Sequence, residues 1–346
     1  MQGQVFKIHS DFYYVKLKCG DVFECKLREI LKKRNEKVLT GDFVDFDDTG
    51  VINGILERKN FILRPAVANI DTAVVVSSLL EPKLDYVQLN RYLTFLKYHK
   101  INTMLCFNKE DLPDKSEFKK QADEIIKIYK PLGYKTVFTS AKEKYGLSDL
   151  KKEITGKTIV LCGLSGVGKS SLINALNPDF NIRTSAISQN TQRGRHTTRH
   201  CEILDFKEFR IIDTPGFSNL KFDFILPKDL DLLFDDINNF AKDCKFSDCL
   251  HLEGDEHSIG CAVLENIDKI NPQRYKSYLE FLKEARDYKH KVTYSGTKEE
   301  KAKKITHGAQ RAKISRAKRE SSRNTQRQKI KNFEDFNNFN GEENDF

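Results

Sequence analysis

The sequence predicts a multidomain α/β protein in which a small β-barrel precedes a parallel α/β domain and a helical, metal-binding segment follows. Three observations predict this organisation. Short β-rich runs fill residues 1–63, buried apolar strands alternate with helices over residues 64–220, and cysteines and histidines cluster within residues 221–290. Hydrophobic residues make up 39% of the 346-residue chain, which is enough for more than one core.

The first 63 residues alternate between β-rich runs, such as Gln4–Ile8 and Phe12–Leu17, and glycine-containing turns. Short strands at this density are typical of a small barrel, and the OB-fold is the leading candidate. Basic residues at Lys32–Arg34 and at Arg58 and Lys59 would line an oligonucleotide-binding face. An ordinary solvated loop explains them equally well.

The next segment has the pattern of a parallel sheet. Ile70–Ser78 and Ile101–Phe107 are continuous apolar runs, as expected for strands that are buried on both faces, and helical segments separate them. Ligands bind such sheets at the carboxyl ends of the strands. Two polar motifs follow strands here, N-K-x-D and S-A-K, and their candidate binding residues are Asn108, Lys109, Asp111, Ser140, Ala141 and Lys142.

N-K-x-D directly after a strand is the guanine-specificity element of GTPases. The Asp111 carboxylate would accept hydrogen bonds from N1–H and from the exocyclic amino group of guanine. Adenine lacks this pair of donors, so ATP would leave a buried carboxylate unpaired. Lys109 would lie over the base, Asn108 would brace the loop, and the backbone of S-A-K would contact guanine O6. These motifs predict a guanine nucleotide as the ligand.

A phosphate-binding motif occupies the middle of the chain. Residues 163–170 fit G-x-x-x-x-G-K-[ST] and lie between an apolar strand and a helix, which is the context that this motif requires. Backbone N–H groups and the helix N-terminus bind phosphate, Lys169 should reach the β- and γ-phosphates, and Ser170 should bind Mg²⁺. The candidate residues are Gly163, Leu164, Ser165, Gly166, Val167, Gly168, Lys169, Ser170 and Ser171.

Two later motifs should complete the magnesium and γ-phosphate site. The polar stretch 181–200 should supply a threonine for Mg²⁺ and the γ-phosphate; we favour Thr198 and keep Thr197 as the alternative. A strand then ends in D-T-P-G. Asp213 should bind Mg²⁺ through water, and the N–H of Gly216 should approach the γ-phosphate.

The residue after this motif departs from many GTPases, which carry a glutamine there to orient the attacking water. Here it is Phe217, which cannot hydrogen-bond to water through its side chain. His196 is one candidate for orienting the water instead, and an exposed loop histidine with no such role is an equally good explanation. With Lys169 and Thr198, His196 forms the candidate catalytic set.

The order of these motifs is circularly permuted. N-K-x-D and S-A-K precede the P-loop, and D-x-x-G comes last, whereas an ordinary GTPase begins with the P-loop. Permutation is tolerated because the termini of a domain are often close together. The loop after Gly216 therefore leads directly out of the domain, so loss of the γ-phosphate can act on the segment that follows.

That segment contains cysteines and histidines in the pattern C-x₄-C-x-H…C. Thiolates and imidazole at this density are typical of a tetrahedral structural zinc site. The expected ligands are Cys244, Cys249, His251 and Cys261, with His257 as a substitute for His251. Five other cysteines are scattered in strand-like or apolar segments, as reduced thiols of a cytoplasmic protein would be: Cys19, Cys25, Cys106, Cys162 and Cys201.

Charge is concentrated near the C-terminus. Residues 298–331 contain thirteen basic and three acidic residues, while the whole chain has a net charge of +9. This composition predicts an exposed arm that binds nucleic acid, with a solvated tail as the alternative. The chain has no signal peptide and no apolar run of about 20 residues, so we expect a cytoplasmic protein without membrane association.

Together these motifs resemble the ribosome small subunit-dependent GTPase A family (RsgA, the YjeQ/EngC circularly permuted GTPases). The likeness covers about residues 1–288 and includes Gly194–Thr198, Asp213–Phe217 and the zinc cluster. It implies an OB-fold barrel, a permuted GTPase domain and a zinc domain. It further implies a GTPase that binds the 30S subunit and 16S rRNA, assists late maturation of the subunit and is stimulated by it. The family's proposed catalytic histidine corresponds to His196.

Domain boundaries follow from these features: a barrel at 1–63, a GTPase domain at 64–220, a zinc-binding helical domain at 221–290 and a flexible tail at 291–346. We expect a monomer that uses GTP, Mg²⁺ and one zinc ion. The separation of His251 from Cys261 exceeds what the family usually has, which leaves His251 and His257 both open. A different hypothesis is an RNA-binding assembly scaffold in which GTP is a slow timer or a structural ligand.

Overall fold

The computed structural model describes residues 1–33, 36–111, 114–177, 201–213, 220, 222, 225–254 and 258–294. The chain forms two compact units. The first contains the described residues of 1–220 and 231–279, and the second contains those of 221–230 and 280–294. The motifs that fall within the described residues, from the barrel to the zinc cluster, belong to the first unit.

Five strands at the N-terminus close into a barrel: β1 (Gln2–His9), β2 (Phe12–Lys16), β3 (Val22–Leu27), β4 (Phe43–Phe46) and β5 (Val51–Ile55). They pair in the order β1-β2-β3-β5-β4, and β4 returns to β1. A short helix, α1 (Glu29–Lys33), connects β3 to the next strand. The alternating apolar residues of these strands form one core that includes Val5, Val15, Val44 and Ile52. The OB-like barrel is thereby confirmed.

A short hairpin, β6 (Phe61–Leu63) and β7 (Ala66–Ala68), leads from the barrel to the α/β domain. The sheet of that domain contains β8 (Thr72–Ser78), β9 (Thr103–Asn108), β10 (Lys135–Phe138), β11 (Thr158–Cys162), β12 (Glu202–Asp205) and β13 (Arg210–Asp213). Its order is β10-β9-β8-β11-β13-β12, parallel except for β12. Because β12 also pairs with β1, the barrel and the α/β domain share one eleven-stranded sheet.

Within the described part of this domain, four helices accompany the sheet: α2 (Tyr86–Tyr98), α3 (Lys115–Tyr129), α4 (Leu147–Ile154) and α5 (Lys169–Leu176). Asp85 and Asp114 cap α2 and α3, each accepting a hydrogen bond from a backbone N–H in the first turn. Helix α2 buries Leu89, Leu93 and Leu96, whose spacing of three to four residues gives the helix one apolar face. The alternation of strands and helices thus produces the expected α/β fold.

The described residues between 225 and 294 are mostly helical. They form α6 (Asp235–Ala241), α7 (Ala262–Glu265) and α8 (Pro272–Tyr294), with single 3₁₀ turns at Pro227–Asp229, Asp231–Leu233 and Ile267–Lys269. A helical, cysteine-rich segment after the α/β domain agrees with the prediction. The described helices are all too short or too polar to span a lipid bilayer.

A buried polar network joins α8 to α2 and α6. Arg274 is 2% exposed and donates to both carboxylate oxygens of Asp236, at 2.8 and 3.0 Å. The same guanidinium donates to Oδ1 of Asn90 at 3.1 Å, and that oxygen also accepts from the Tyr129 hydroxyl at 2.9 Å. The amide nitrogen of Asn90 donates to Oγ of Ser277 at 2.8 Å. Burial of the charged pair is tolerated because each partner is hydrogen-bonded.

Candidate nucleotide-binding site and metal centre

The carboxyl ends of three parallel strands bring the described motif residues to one edge of the sheet. Asn108 is the last residue of β9, Gly163 directly follows β11, and Asp213 is the last residue of β13. Ligands of open α/β sheets bind at this edge. The base-recognition motif and the phosphate motif, which are more than fifty residues apart in the chain, therefore meet at one site.

The phosphate loop depends on glycine at two points. Gly163 and Gly168 have φ angles of 141° and 92°, in the left-handed region that favours glycine. A side-chain Cβ at Gly163 would lie 2.0 Å from the carbonyl oxygen of Val76, and one at Gly168 would lie 2.3 Å from Nδ2 of Asn108. Any other residue would therefore displace the loop from the strands that hold it.

The rest of the loop combines one buried anchor with an exposed tip. Val167 is 2% exposed and packs in the core of the α/β domain, whereas Ser165 and Gly166 are exposed. Helix α5 begins at Lys169 without a side-chain cap from the described residues, and Ser170 and Ser171 lie in its first turn. Uncapped N–H groups and the positive end of a helix dipole favour an anionic ligand at such a position.

Lys169 lies across the phosphate loop. Its Nζ donates to the carbonyl oxygens of Gly163 at 2.8 Å and Leu164 at 2.7 Å. Burial lowers the pKa of Lys169 from its ordinary value. An ammonium has three donors, so these two contacts leave one N–H for a phosphate oxygen. The loop thus holds its own cation in position for an anionic ligand.

Asn108 connects the base-recognition loops to the phosphate loop. Its side chain is buried, and Nδ2 donates to the carbonyl oxygen of Val167 at 3.0 Å. Its Oδ1 accepts from the backbone N–H of Ala141 at 3.0 Å and from the Thr139 hydroxyl at 3.3 Å. One amide therefore fixes N-K-x-D, S-A-K and the P-loop relative to one another.

The carboxylate of Asp111 is positioned by the S-A-K loop. The Ser140 hydroxyl donates to Oδ1 of Asp111 at 2.6 Å and accepts from the backbone N–H of Glu143 at 3.0 Å. Lys142 approaches the other carboxylate oxygen at 3.9 Å. Lys109 adopts a φ of 70°, a left-handed conformation that turns the chain sharply after β9. The arrangement presents a fixed hydrogen-bond acceptor beside the loop that would hold a base.

Asp213 faces a second carboxylate, which belongs to none of the sequence motifs. Glu202 on β12 lies directly opposite Asp213 on β13. Partial desolvation and, second, the charge of Glu202 raise the pKa of Asp213 above its ordinary value. No local spacing links Glu202 to the D-x-x-G motif, so only the pairing of the two strands reveals it.

Several residues expected at this site lie outside the described residues. They are His196, Thr197, Thr198, Gly216 and Phe217. The alternative zinc ligand His257 and the basic stretch 298–331 also lie outside the described residues.

The four cysteine and histidine ligands expected for zinc converge in the C-terminal region. One ligand atom each from Cys244, Cys249, His251 and Cys261 lies within 4.8 Å of all the others. Cys244 Sγ is 3.9 Å from Cys261 Sγ, and the two sulfurs lie 3.6 and 3.5 Å from Nδ1 of His251. A tetrahedral zinc with Zn–S of about 2.3 Å separates sulfurs by about 3.8 Å and sulfur from nitrogen by about 3.5 Å. The cluster therefore fits zinc.

The other side of the His251 ring meets groups that the sequence did not indicate. The buried Nε2 lies 3.7 Å from a carboxylate oxygen of Asp231. Tyr275 on α8 donates its hydroxyl proton to the carbonyl oxygen of His251 at 2.7 Å. A carboxylate beside the outer nitrogen is typical of metal-binding histidines and favours coordination through Nδ1. Asp231 lies far from the C-x₄-C-x-H motif in sequence, so spacing alone could not identify it.

Comparison with known proteins relates the barrel and the α/β domain to one family. The RsgA GTPase family matches residues 55–223, and the RsgA N-terminal domain matches residues 2–56. The small ribosomal subunit biogenesis GTPase RsgA of Geobacillus sp. (strain WCH70) is 38% identical over 294 residues, which cover 83% of this chain and 98% of that protein. The protein of the same name from Bacillus subtilis (strain 168) is 36% identical over 297 residues, with the same coverage.

Two solved structures are similar over most of this chain. YjeQ from Thermotoga maritima matches with a TM-score of 0.70 and 34% identity, over 82% of this chain and 98% of that one. YloQ, described as a circularly permuted GTPase, matches with a TM-score of 0.67 and 32% identity, over 83% of this chain and 95% of that one.

Proposed function

The chain belongs to the RsgA family of GTPases, and on this premise we propose that it hydrolyses GTP and takes part in maturation of the small ribosomal subunit. The relatives are named for small-subunit biogenesis, and the chain covers 98% of their length. The observation that carries the proposal is the bridge through Asn108, which joins a guanine-recognition motif to a P-loop in permuted order.

We infer the following division of roles at the nucleotide. The Asp111 carboxylate recognises N1–H and the amino group of guanine, and Ser140 holds that carboxylate in place. The backbone N–H groups of the P-loop and the third N–H of Lys169 bind the β- and γ-phosphates. Mg²⁺, when bound, neutralises charge on these phosphates, and Ser170 and Asp213 would hold it.

The residues that contact the γ-phosphate and the attacking water are proposed from sequence motifs alone. Thr198 is proposed to contact Mg²⁺ and the γ-phosphate, Gly216 to donate its N–H to the γ-phosphate, and His196 to orient the water in place of the glutamine that Phe217 replaces. This assignment rests on the position of these residues in the G-R-H-T-T and D-T-P-G-F motifs. Hydrolysis yields GDP and phosphate.

We propose a structural zinc ion held by Cys244, Cys249, His251 and Cys261. Four protein ligands leave no position for a substrate. The near-tetrahedral spacing and the Asp231 carboxylate beside the ring support His251 over His257 as the fourth ligand. The zinc ion would tie the loop from residue 244 to residue 261 against α8, where Tyr275 contacts His251.

We further propose that 16S rRNA is the contact on the small subunit, reached by the barrel and by the basic stretch 298–331. The charge of that stretch supports binding to phosphate groups, which would make the affinity fall with salt.

The enzymatic part of the proposal is tested by phosphate release from GTP and from ATP. We expect phosphate release from GTP and none above background from ATP. The variant Lys169→Ala should lose this activity, because it lacks the ammonium group that would contact the phosphates. Lys152→Ala, on an exposed position of α4, is the control and should behave as the wild type. Equal turnover of ATP, or full activity of Lys169→Ala, would overturn the assignment.

A further inference from the structure

Three adjacent strands carry a row of charged residues from the barrel to the magnesium site. Lys7 on β1 is paired in register with Glu202 on β12, and Glu202 is paired in register with Asp213 on β13. Residues directly opposite on antiparallel strands have side chains on the same face of the sheet. Nζ of Lys7 lies 3.0 Å from a carboxylate oxygen of Glu202. Across the three strands, the ammonium group of Lys7 is therefore followed by the carboxylates of Glu202 and Asp213.

The carboxylates of Glu202 and Asp213 lie close enough that nearby positive charge should stabilise them. Like charges directly opposite one another destabilise a sheet, so Glu202 beside Asp213 is unfavourable unless a positive charge compensates. Lys7 compensates Glu202 from the barrel side. The Lys7 and Glu202 side chains are 37% and 38% exposed, so their ion pair contributes little to folding stability.

We propose that Glu202 is a positioning residue for Mg²⁺ and that Lys7 of the barrel sets how strongly it acts. The inference rests on the proposed function, in which Asp213 binds Mg²⁺. The Glu202 carboxylate adds negative charge beside Asp213 and strengthens Mg²⁺ binding. Lys7 neutralises part of that charge and weakens Mg²⁺ binding. An anion that binds Lys7 in place of Glu202 should strengthen Mg²⁺ binding, as removal of the lysine charge does. Anion binding at the barrel is therefore coupled to Mg²⁺ binding.

A second ion pair between the barrel and β12 provides a matched comparison. Lys16 on β2 contacts Asp205 on β12 at 3.0 Å, with side chains that are 38% and 45% exposed. Asp205 lies opposite Arg210, at the other end of β13 from Asp213. The two pairs thus link the same two parts of the protein with similar geometry, and only the pair of Lys7 and Glu202 adjoins the metal site.

The test is a titration of the GDP-bound full chain with Mg²⁺, followed by the release rate of a fluorescent GDP analogue. We expect Glu202→Gln to weaken Mg²⁺ binding about 3- to 10-fold and Lys7→Gln to strengthen it about 2- to 5-fold. The double variant should match Glu202→Gln, because Lys7 acts only through Glu202. Lys16→Gln should bind Mg²⁺ as the wild type does.

Two results would overturn this proposal alone: wild-type Mg²⁺ affinity in Glu202→Gln, or equal effects of Lys7→Gln and Lys16→Gln. Either of these, with Mg²⁺-dependent GDP release intact in the wild type, leaves the GTPase assignment standing. Asp213→Asn separates the two claims. If its Mg²⁺ affinity equals that of the wild type, Asp213 does not contribute to Mg²⁺ binding, either directly or through water, and both the proposed magnesium site and the role of Glu202 are wrong. Melting temperatures identify any variant that is misfolded.

Discussion

Nδ2 of Asn108 donates to the carbonyl oxygen of Val167 at 3.0 Å, so the residue that ends a base-recognition strand also holds the phosphate loop. The other end of the same amide accepts from the backbone N–H of Ala141. One buried side chain therefore fixes the proposed base-recognition and phosphate loops relative to one another. Circular permutation preserves this contact because it depends on the order of strands in the sheet, which is independent of the order of motifs along the chain.

Replacing Asn108 with alanine should weaken GDP and GTP binding to a similar extent. The substitution leaves the Val167 carbonyl and the Ala141 N–H without their partner, which costs about 1–3 kcal/mol, or roughly 5- to 150-fold in affinity if the bound loop requires both contacts. Titration with fluorescent nucleotides measures this. Asn102→Ala, at an exposed position before β9, should bind normally. Unchanged affinity in Asn108→Ala would show that the phosphate loop does not depend on the bridge.

Asp111→Asn should shift the preference of the site from guanine toward xanthine. The amide donates where the carboxylate accepted, and xanthine presents a carbonyl in place of the amino group of guanine. Competition between GDP and xanthosine diphosphate gives the ratio, which we expect to change by about 100-fold or more. Glu143→Gln removes an exposed carboxylate three residues from Ser140 and should leave the preference unaltered. A guanine preference retained in Asp111→Asn contradicts the role assigned to Asp111.

Cys261→Ser should abolish zinc binding and lower the melting temperature. Serine oxygen is a poor substitute for thiolate at a tetrahedral zinc site, and structural zinc contributes directly to folding stability. Elemental analysis should find about one zinc per wild-type chain and little in the variant. The exposed Cys19 provides the control, since Cys19→Ser should retain zinc.

The same measurement decides between the two histidines. His251→Ala should lose zinc, because Nδ1 of His251 lies 3.5 and 3.6 Å from two of the sulfurs, and His257→Ala should keep it. The reverse result would assign the fourth ligand to His257.

Arg274→Met should destabilise the protein by about 3–5 kcal/mol, because it leaves the largely buried carboxylate of Asp236 without its partner. The variant also removes the donor to Asn90, which links α8 to α2. Urea unfolding monitored by circular dichroism measures the loss. Lys276→Met changes an exposed residue on the same helix and should cost less than about 0.5 kcal/mol. Comparable losses in the two variants would mean that the network contributes no specific stability.

Local motifs predicted more of this protein than long-range contacts did. The glycines at 163 and 168 and the residues from Asn108 to Asp111 are recognisable because their spacing is set by one strand and the turn that follows it. Glu202 beside Asp213, and Asp231 beside His251, depend on how separate segments pack, and no short spacing records that. The barrel and the α/β sheet were expected as separate domains, and their union through β1 and β12 follows only from strand pairing. The choice between His251 and His257 stayed open in the sequence for the same reason.

We propose that this chain is a GTPase stimulated by the small ribosomal subunit. The most direct measurement is the rate of GTP hydrolysis by the full chain alone, with purified 30S subunits and with an equal concentration of 50S subunits. We expect slow turnover alone, an increase of at least about 10-fold with 30S subunits and none with 50S subunits. A rate that 30S subunits leave unchanged would contradict the claim and would favour an assembly scaffold in which GTP is a structural ligand.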